Sequence, residues 1–297
     1  MDDDLRRDAL LAWYADTGRD LPWRRTRDPY AVLVSEIMLQ QTQVSRVVPR
    51  FEAWLERWPT AAALAAAPGA DVLAEWSGLG YNNRALRLQA AARVVAEHGW
   101  PGDEAGLRTL PGVGDYTAAA VAAFAYGQVA AAVDTNQVRV LDRWDGAGGR
   151  TPKAVRERAI DLVPEDAPDA WNHALMDLGA TVCTARIARC DACPVAEWCM
   201  SAGYVDPVAE RALRGASGPG VAGGAAGSRP QRFEDTQRYV RGRIVAALVE
   251  RGPIDRAVLV EVLPDDIAGE RVAAALTSLA HDGLVDLGPE GLLSLPA

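Results

Sequence analysis

The sequence predicts an all-α architecture, and three features carry that expectation. Apolar residues recur at helical spacing along the chain, as in Tyr30, Leu33, Val34 and Ile37. Glycines interrupt the pattern where helices must end or turn, at Gly18, at Gly78-Leu-Gly80 and at Leu110-Pro-Gly-Val-Gly114. The last 66 or so residues read as three helices followed by a short hairpin, the order of a winged helix.

Bulk properties narrow the function. A chain of 297 residues can build two or three domains with substantial cores. With 31 basic against 40 acidic side chains the net charge is -9, which argues against coating nucleic acid by bulk charge but leaves local basic patches open. Lys153 is the only lysine, so amine chemistry has one candidate side chain. No apolar run is long enough to span a bilayer and no signal peptide is recognisable, so a cytoplasmic, bacterial protein without a membrane partner is expected.

The elements follow in order. A first helix runs over residues 5 to 18, ended by Gly18, and Leu21-Pro-Trp-Arg-Arg25 is extended. Pro29 opens a helix that carries Glu36 and stops at Gln40-Gln41-Thr42, with Thr42 expected to cap a further helix through Trp58. Glu36 has Val32, Leu33, Leu39 and Gln40 one turn away; a carboxyl desolvated in this way holds its proton near neutral pH, as a general acid must. The plainer alternative is a rim glutamate paired with an arginine.

Short helices follow over 60 to 98, with Gly78-Leu-Gly80-Tyr81 as a corner on which Tyr81, taken alone, would simply pack. Leu110, Gly112, Val113 and Gly114 lie on a tight turn between two helices. The glycines there leave backbone N–H groups free for a phosphate, directly or through a bound monovalent cation. Asp134 precedes a helix from Val138 to Trp144 and is placed to cap it.

Cys183, Cys190, Cys193 and Cys199 are all the cysteines of the chain and are spaced C-x6-C-x2-C-x5-C. Four thiols without a flanking histidine point to an iron-sulfur cluster or structural zinc, and the uneven spacing favours the cluster; disulfides are disfavoured in a chain of this size without a secretory leader. Arg186 and Arg189 lie inside the loop, solvated or facing phosphates. Residues 214 to 230 turn to Gly, Ala, Ser and Pro and read as a linker. From Pro230 onward, 7 basic residues minus 11 acidic gives -4, and the third helix offers only Arg271, so this module is not expected to read DNA.

The cysteine spacing, after the helix Trp171-Asn-His-Ala-Leu-Met-Asp-Leu-Gly179, resembles the cluster loop of the endonuclease III superfamily of DNA glycosylases. Ser35-Glu-Ile-Met-Leu-Gln-Gln-Thr-Gln43 resembles the catalytic helix of its adenine-specific mismatch branch, the MutY family. The likeness covers roughly residues 5 to 203, about two thirds of the chain. It implies a helix-hairpin-helix glycosylase fold: a helical barrel over 29–130, and an iron-sulfur cluster domain from 1–28 and 131–203. A linker over 204–231 and a winged-helix-like domain over 232–297 would complete the chain.

For the site, the resemblance implies Glu36 as acid, Asp134 as the carboxylate facing the sugar, and Tyr116 and Asn136 as their support. Tyr116 stands where strand-cleaving relatives carry a lysine, which implies base removal only. Tyr81 would wedge into the base stack, followed by Asn82 where relatives often have a second aromatic residue, and Gln40, Gln41, Thr42, the hairpin, Arg186 and Arg189 would face DNA. The implied ligand set is Cys183, Cys190, Cys193 and Cys199 around a 4Fe-4S cluster. The implied partner is duplex DNA with adenine mispaired with 8-oxoguanine or guanine, bound by a monomer whose C-terminal region could take a protein partner. The family's usual NUDIX-like checking domain is not recognisable. Thymine or uracil opposite guanine is the alternative substrate, and a non-catalytic cluster protein or adaptor the alternative class.

Overall fold

A computed structural model describes residues 2–203, 232–264 and 267–297; the linker expected over 204–231 lies outside the described residues. Among the described residues the fold is all-α apart from three short strands. The helices before the linker are α1 (Asp2–Thr17), α2 (Pro29–Leu39), α3 (Val44–Arg57), α4 (Ala61–Ala65), α5 (Gly69–Glu75), α6 (Asn83–His98), α7 (Glu104–Leu107), α8 (Asp115–Tyr126), α9 (Thr135–Trp144), α10 (Pro152–Leu162) and α11 (Pro168–Asp177). No described helix is long and apolar enough to cross a membrane.

The chain forms two compact units. The first takes residues 1–33, 101–109 and 113–223; the second takes 34–100, 110–112 and 224–297.

In the first unit α1, α9, α10 and α11 bury one core, with Leu10, Trp144, Trp171 and Leu175 at its centre and the Trp144 and Trp171 rings 6.2 Å apart. Polar ties fix the ends. The Arg6 Nε donates to the Trp198 carbonyl at 3.0 Å, and Asp145 accepts from Arg150 at 2.7 Å and Arg158 at 3.0 Å. Asp177, whose side chain is 1% exposed, accepts from Arg24 at 2.8 Å and from the Arg19 backbone at 2.9 Å. Burial penalises its charge, but the hydrogen bonds from Arg24 and Arg19 outweigh that and hold the carboxyl below the usual aspartate range.

In the second unit α2 is buried along its whole length from Val34 to Met38, which is why its apolar residues show no clean stripe. Trp54, Trp58 and Trp76 meet edge to face, with centroids 4.7 and 5.4 Å apart. Thr42 does not cap α3. Gln43 holds that position without a side-chain bond, because the Thr42 hydroxyl accepts from Arg84 at 3.2 Å instead.

The C-terminal module belongs to the second unit. Its helices are α12 (Gln237–Arg251), α13 (Arg256–Val262) and α14 (Gly269–His281). Thr236 caps α12 by accepting from the Tyr239 N–H at 3.2 Å. The strands β1 (Ile254–Asp255), β2 (Asp286–Leu287) and β3 (Leu292–Ser294) form an antiparallel sheet in the order β1-β3-β2, completing a winged helix. Strand β1 is too short to show a period of two, so the sequence reading has only the hairpin. The module's end is seated on α5, where the Ala70 N–H donates to the Pro296 carbonyl at 2.8 Å.

The Asp177 network sets a pH dependence. Because its folded pKa is depressed, its stabilisation is present above the ordinary aspartate value of about 3.9 and is lost as pH falls through the folded value. Asp177→Asn should therefore destabilise by about 3 kcal/mol at neutral pH, since it leaves Arg24 buried without its counter-charge. Thermal melts of both proteins from neutral to acid pH check this, and the gap between them should shrink as pH falls.

Candidate active site

The backbone that delivers Asp134 is clasped from behind. The fully buried Asn172 on α11 accepts from the Ala132 N–H at 2.8 Å and donates to the Ala130 carbonyl at 2.9 Å and to the Pro168 carbonyl at 2.8 Å. Asp134 then caps α9: its Oδ1 accepts from the Gln137 N–H at 2.7 Å and its Oδ2 from the Asn136 side chain at 2.8 Å. Both carboxylate oxygens are thus aimed by the first turn of one helix.

The same helix holds the cysteine loop. Arg139 donates to Asn136 Oδ1 at 2.8 Å, to the Gly179 carbonyl at 2.6 Å and to the Cys183 carbonyl at 2.9 Å. One turn on, Arg143 donates to the Cys183 Sγ at 3.1 Å and to the Thr184 carbonyl at 2.9 Å. Gly179 lies in a π turn over residues 178–182, and a Cβ there would come within 2.6 Å of the Asn136 Cβ. Only glycine lets this turn close on α9.

The four cysteines are free and half-buried, and all line one pocket with Arg143, Trp144 and Val182. Burial, and then the other three thiols, push Cys193 up to about 11. Among the described residues no group of three or more His, Cys, Asp or Glu side chains is spaced to hold a single metal ion. The loop offers an all-thiol donor set around one pocket, and that set fits a thiolate-ligated group. Of the loop's arginines, Arg186 is exposed, whereas Arg189 donates to the Thr181 carbonyl and so braces the loop.

Glu36 belongs to the second unit and is 4% exposed, between Ser35 at 1% and Ile37 at 2%. The turn after its helix and the Gly78–Tyr81 corner are stapled by one side chain that sequence reasoning missed. Arg84, buried on α6, donates to the carbonyls of Ile37 at 2.7 Å, Gln40 at 2.6 Å, Leu79 at 3.1 Å and Gly80 at 2.9 Å. Burial pulls its guanidinium down to about 10, so it stays charged at neutral pH.

The staple holds strained backbone on both sides. Gln41, at φ +56°, and Tyr81, at φ +49°, are the described non-glycine residues with positive φ. Both are exposed, and each sits beside carbonyls that Arg84 holds. Strain of this kind persists where the surroundings over-determine it, as around a surface that must meet a ligand.

The hairpin lies between α7 and α8. Gly112 has φ +78°, and a Cβ there would meet the Arg87 Cβ at 2.9 Å, so both conformation and space require glycine. The side chains of Leu110 and Val113 are buried, and Gly112 and Gly114 are exposed, so a ligand at this turn meets backbone. Tyr116 is half-buried in the first turn of α8. Lys153 is exposed on α10, 3.7 Å from Glu157.

A feature not read from the sequence is a cavity of about 350 Å3 in the first unit, lined by Tyr14, Trp23, Arg24, Phe124, Asp169 and His173 among others. His173 stacks on Phe124 with centroids 4.1 Å apart. Burial, then Arg24, lower its pKa to about 3, so it faces the cavity as a neutral imidazole. A polar residue among the apolar positions of α11 was the available signal.

Known proteins share the sequence and fold of this chain. Residues 34–165 match the HhH-GPD superfamily of base excision DNA repair proteins. An adenine DNA glycosylase from Mycolicibacterium smegmatis is 43% identical over 299 residues, covering 96% of this chain and 94% of the relative. A thermostable thymine-DNA glycosylase structure is similar with a TM-score of 0.64 at 32% identity, over 67% of this chain and 95% of that one. A non-covalent endonuclease III–DNA complex shares the fold, with a TM-score of 0.59 at 23% identity over 68% of this chain and 96% of that one. The chain is a base excision repair DNA glycosylase and belongs to the adenine DNA glycosylase family of the HhH-GPD superfamily.

Proposed function

We propose that the chain hydrolyses the N-glycosidic bond of adenine mispaired with 8-oxoguanine or guanine in duplex DNA. The observation that carries the reading is the pair of carboxyls held in unlike settings. Glu36 is 4% exposed on α2, while Asp134 is half-exposed and held by two hydrogen bonds. Glycoside cleavage asks for this division of labour.

The target base leaves the stack to be reached. Glu36 gives its proton to adenine N7, which turns the base into a neutral leaving group. As the bond to the sugar stretches, positive charge grows on C1′ and the ring oxygen, and the fixed carboxylate of Asp134 stabilises it or bonds to C1′. Water then adds its hydroxyl to C1′, which frees Asp134 where it had bonded, and its proton restores Glu36. Asn136 keeps Asp134 aimed, and Tyr116 supports the site. Tyr81 holds the opened stack, while Gln40, Gln41, Thr42, Arg186 and the backbone of the hairpin grip the strands.

An amine at the position of Tyr116 would be needed for strand cleavage through a Schiff base, and Lys153 is committed to the α10 surface. The reaction therefore stops at the abasic site. A 4Fe-4S cluster would be held by Cys183, Cys190, Cys193 and Cys199, where it supplies a covalent cross-link and no electrons, since hydrolysis is redox-neutral. Arg143 and Arg139 then tie that cross-linked loop to the helix that presents Asp134. A monomer acting on DNA in the bacterial cytoplasm fits this reading.

Three measurements check it. Glu36→Gln should lower single-turnover adenine release by roughly a thousandfold or more with duplex affinity nearly unchanged; near-normal release would remove Glu36 from the chemistry. Protein purified without oxygen should be brown and hold about four irons per chain. Stoichiometric zinc without iron would overturn the cluster, and Cys193→Ser should lower iron content and DNA affinity together.

A further inference from the structure

The surface beside Tyr81 carries charge that the chain as a whole lacks. Helix α12 turns Arg238, Arg241, Gly242, Val245 and Ala246, spaced three and four apart, toward the Gly78–Asn83 corner within the second unit. Between them lies a cavity of about 980 Å3. Its charged lining is Arg46, Arg238, Arg241 and Arg243 against Asp282, four minus one or +3, in a module of -4 and a chain of -9. Asp282 is ion-paired with Arg241, which leaves Arg46, Arg238 and Arg243 as the cationic face.

These groups are arranged rather than scattered. The Arg238 guanidinium lies 5.0 Å from the centroids of both Tyr81 and Phe233 and donates to the Tyr81 hydroxyl. Arg46 and Arg243 are exposed at the rim, and the Arg50 guanidinium is 3.6 Å from where a Cβ on Gly78 would lie. Gly242 sits inside α12, where glycine is a poor helix residue, and a Cβ there would meet nothing within 4 Å. Its bare backbone lines the cavity. Arg271, the base that the third helix of the module offers, donates to the carbonyls of Glu234 and Thr236 at 2.8 and 3.1 Å and so braces the module.

We propose that this groove binds the phosphodiester backbone of the duplex beside the Tyr81 wedge, so that the winged-helix module is a second, sequence-blind grip on DNA. Planar guanidinium forks suit phosphate oxygens, and a strand opened at Tyr81 must carry its phosphates past the adjoining wall. The inference rests on DNA as the ligand and not on adenine as the base removed.

The test uses the full chain and a fully paired duplex with no mispair, with affinity measured by fluorescence anisotropy across a salt series. For Arg46→Ala/Arg243→Ala the slope of log affinity against log salt should shrink by about 0.9 for each phosphate that is no longer neutralised. Arg256→Ala, on the same module but outside the cavity, should leave the slope unchanged. Gly242→Glu should weaken binding several-fold while Gly242→Gln, of similar size, leaves it nearly unchanged; both replace a poor helix residue, so folding is preserved. An unchanged slope in the double variant, or an equal loss in Arg256→Ala, overturns the proposal. Tight duplex binding by the wild type in that same result would leave the glycosylase reading standing. A double variant weakened toward an acidic peptide but not toward DNA would overturn it too, and would assign the groove to a protein.

Discussion

Arg84 is the constraint on which the second unit's exposed face depends. Its guanidinium gathers the carbonyls that end α2 and those of the Leu79–Gly80 corner, and it does so from a buried position. Without it, those carbonyls would each lose a charge-assisted hydrogen bond, worth about 1.5–3 kcal/mol. The left-handed backbones at Gln41 and Tyr81 would lose what opposes their relaxation. Glu36 lies one turn from the stapled end of its helix, so the staple joins the placement of Glu36 to the placement of the surface around Tyr81.

The first unit shows a matching economy. Helix α9 caps itself with Asp134, and its next turns use Arg139 and Arg143 to hold the cysteine loop. Placing Asp134 and bracing that loop are thus one structural task, performed through a rigid helix. A cross-link that stiffens the loop would reach Asp134 through two arginines and Asn136 and needs no electron transfer to matter. Gly179 shows how tight the arrangement is, since a single added carbon there would collide with Asn136.

Much of this was legible from residue order. Helices with apolar periodicity, proline starts and glycine stops could be read directly, as could the cap at Asp134 and the winged-helix order of the tail. What stayed hidden depends on contacts far apart in sequence. An arginine on an amphipathic helix reads as solvated, and Arg84 is buried only because two carbonyl-rich turns converge on it. Thr42 has the chemistry of a cap, but Arg84 takes its hydroxyl. Asn172 looks like one more polar residue on α11, yet it completes the edge of the segment leading to Asp134. Net charge does not tell which face the arginines of α12 share, because it is a sum over the module.

The proposed activity is removal of adenine without strand cleavage. Its most direct test is a panel of duplexes placing adenine, thymine or uracil opposite guanine or 8-oxoguanine, scored under single turnover for abasic sites. Each reaction is read with and without alkali. Release of adenine alone is expected, with strand breaks appearing only after alkali. Preferential loss of thymine or uracil, or breaks formed without alkali, would contradict it.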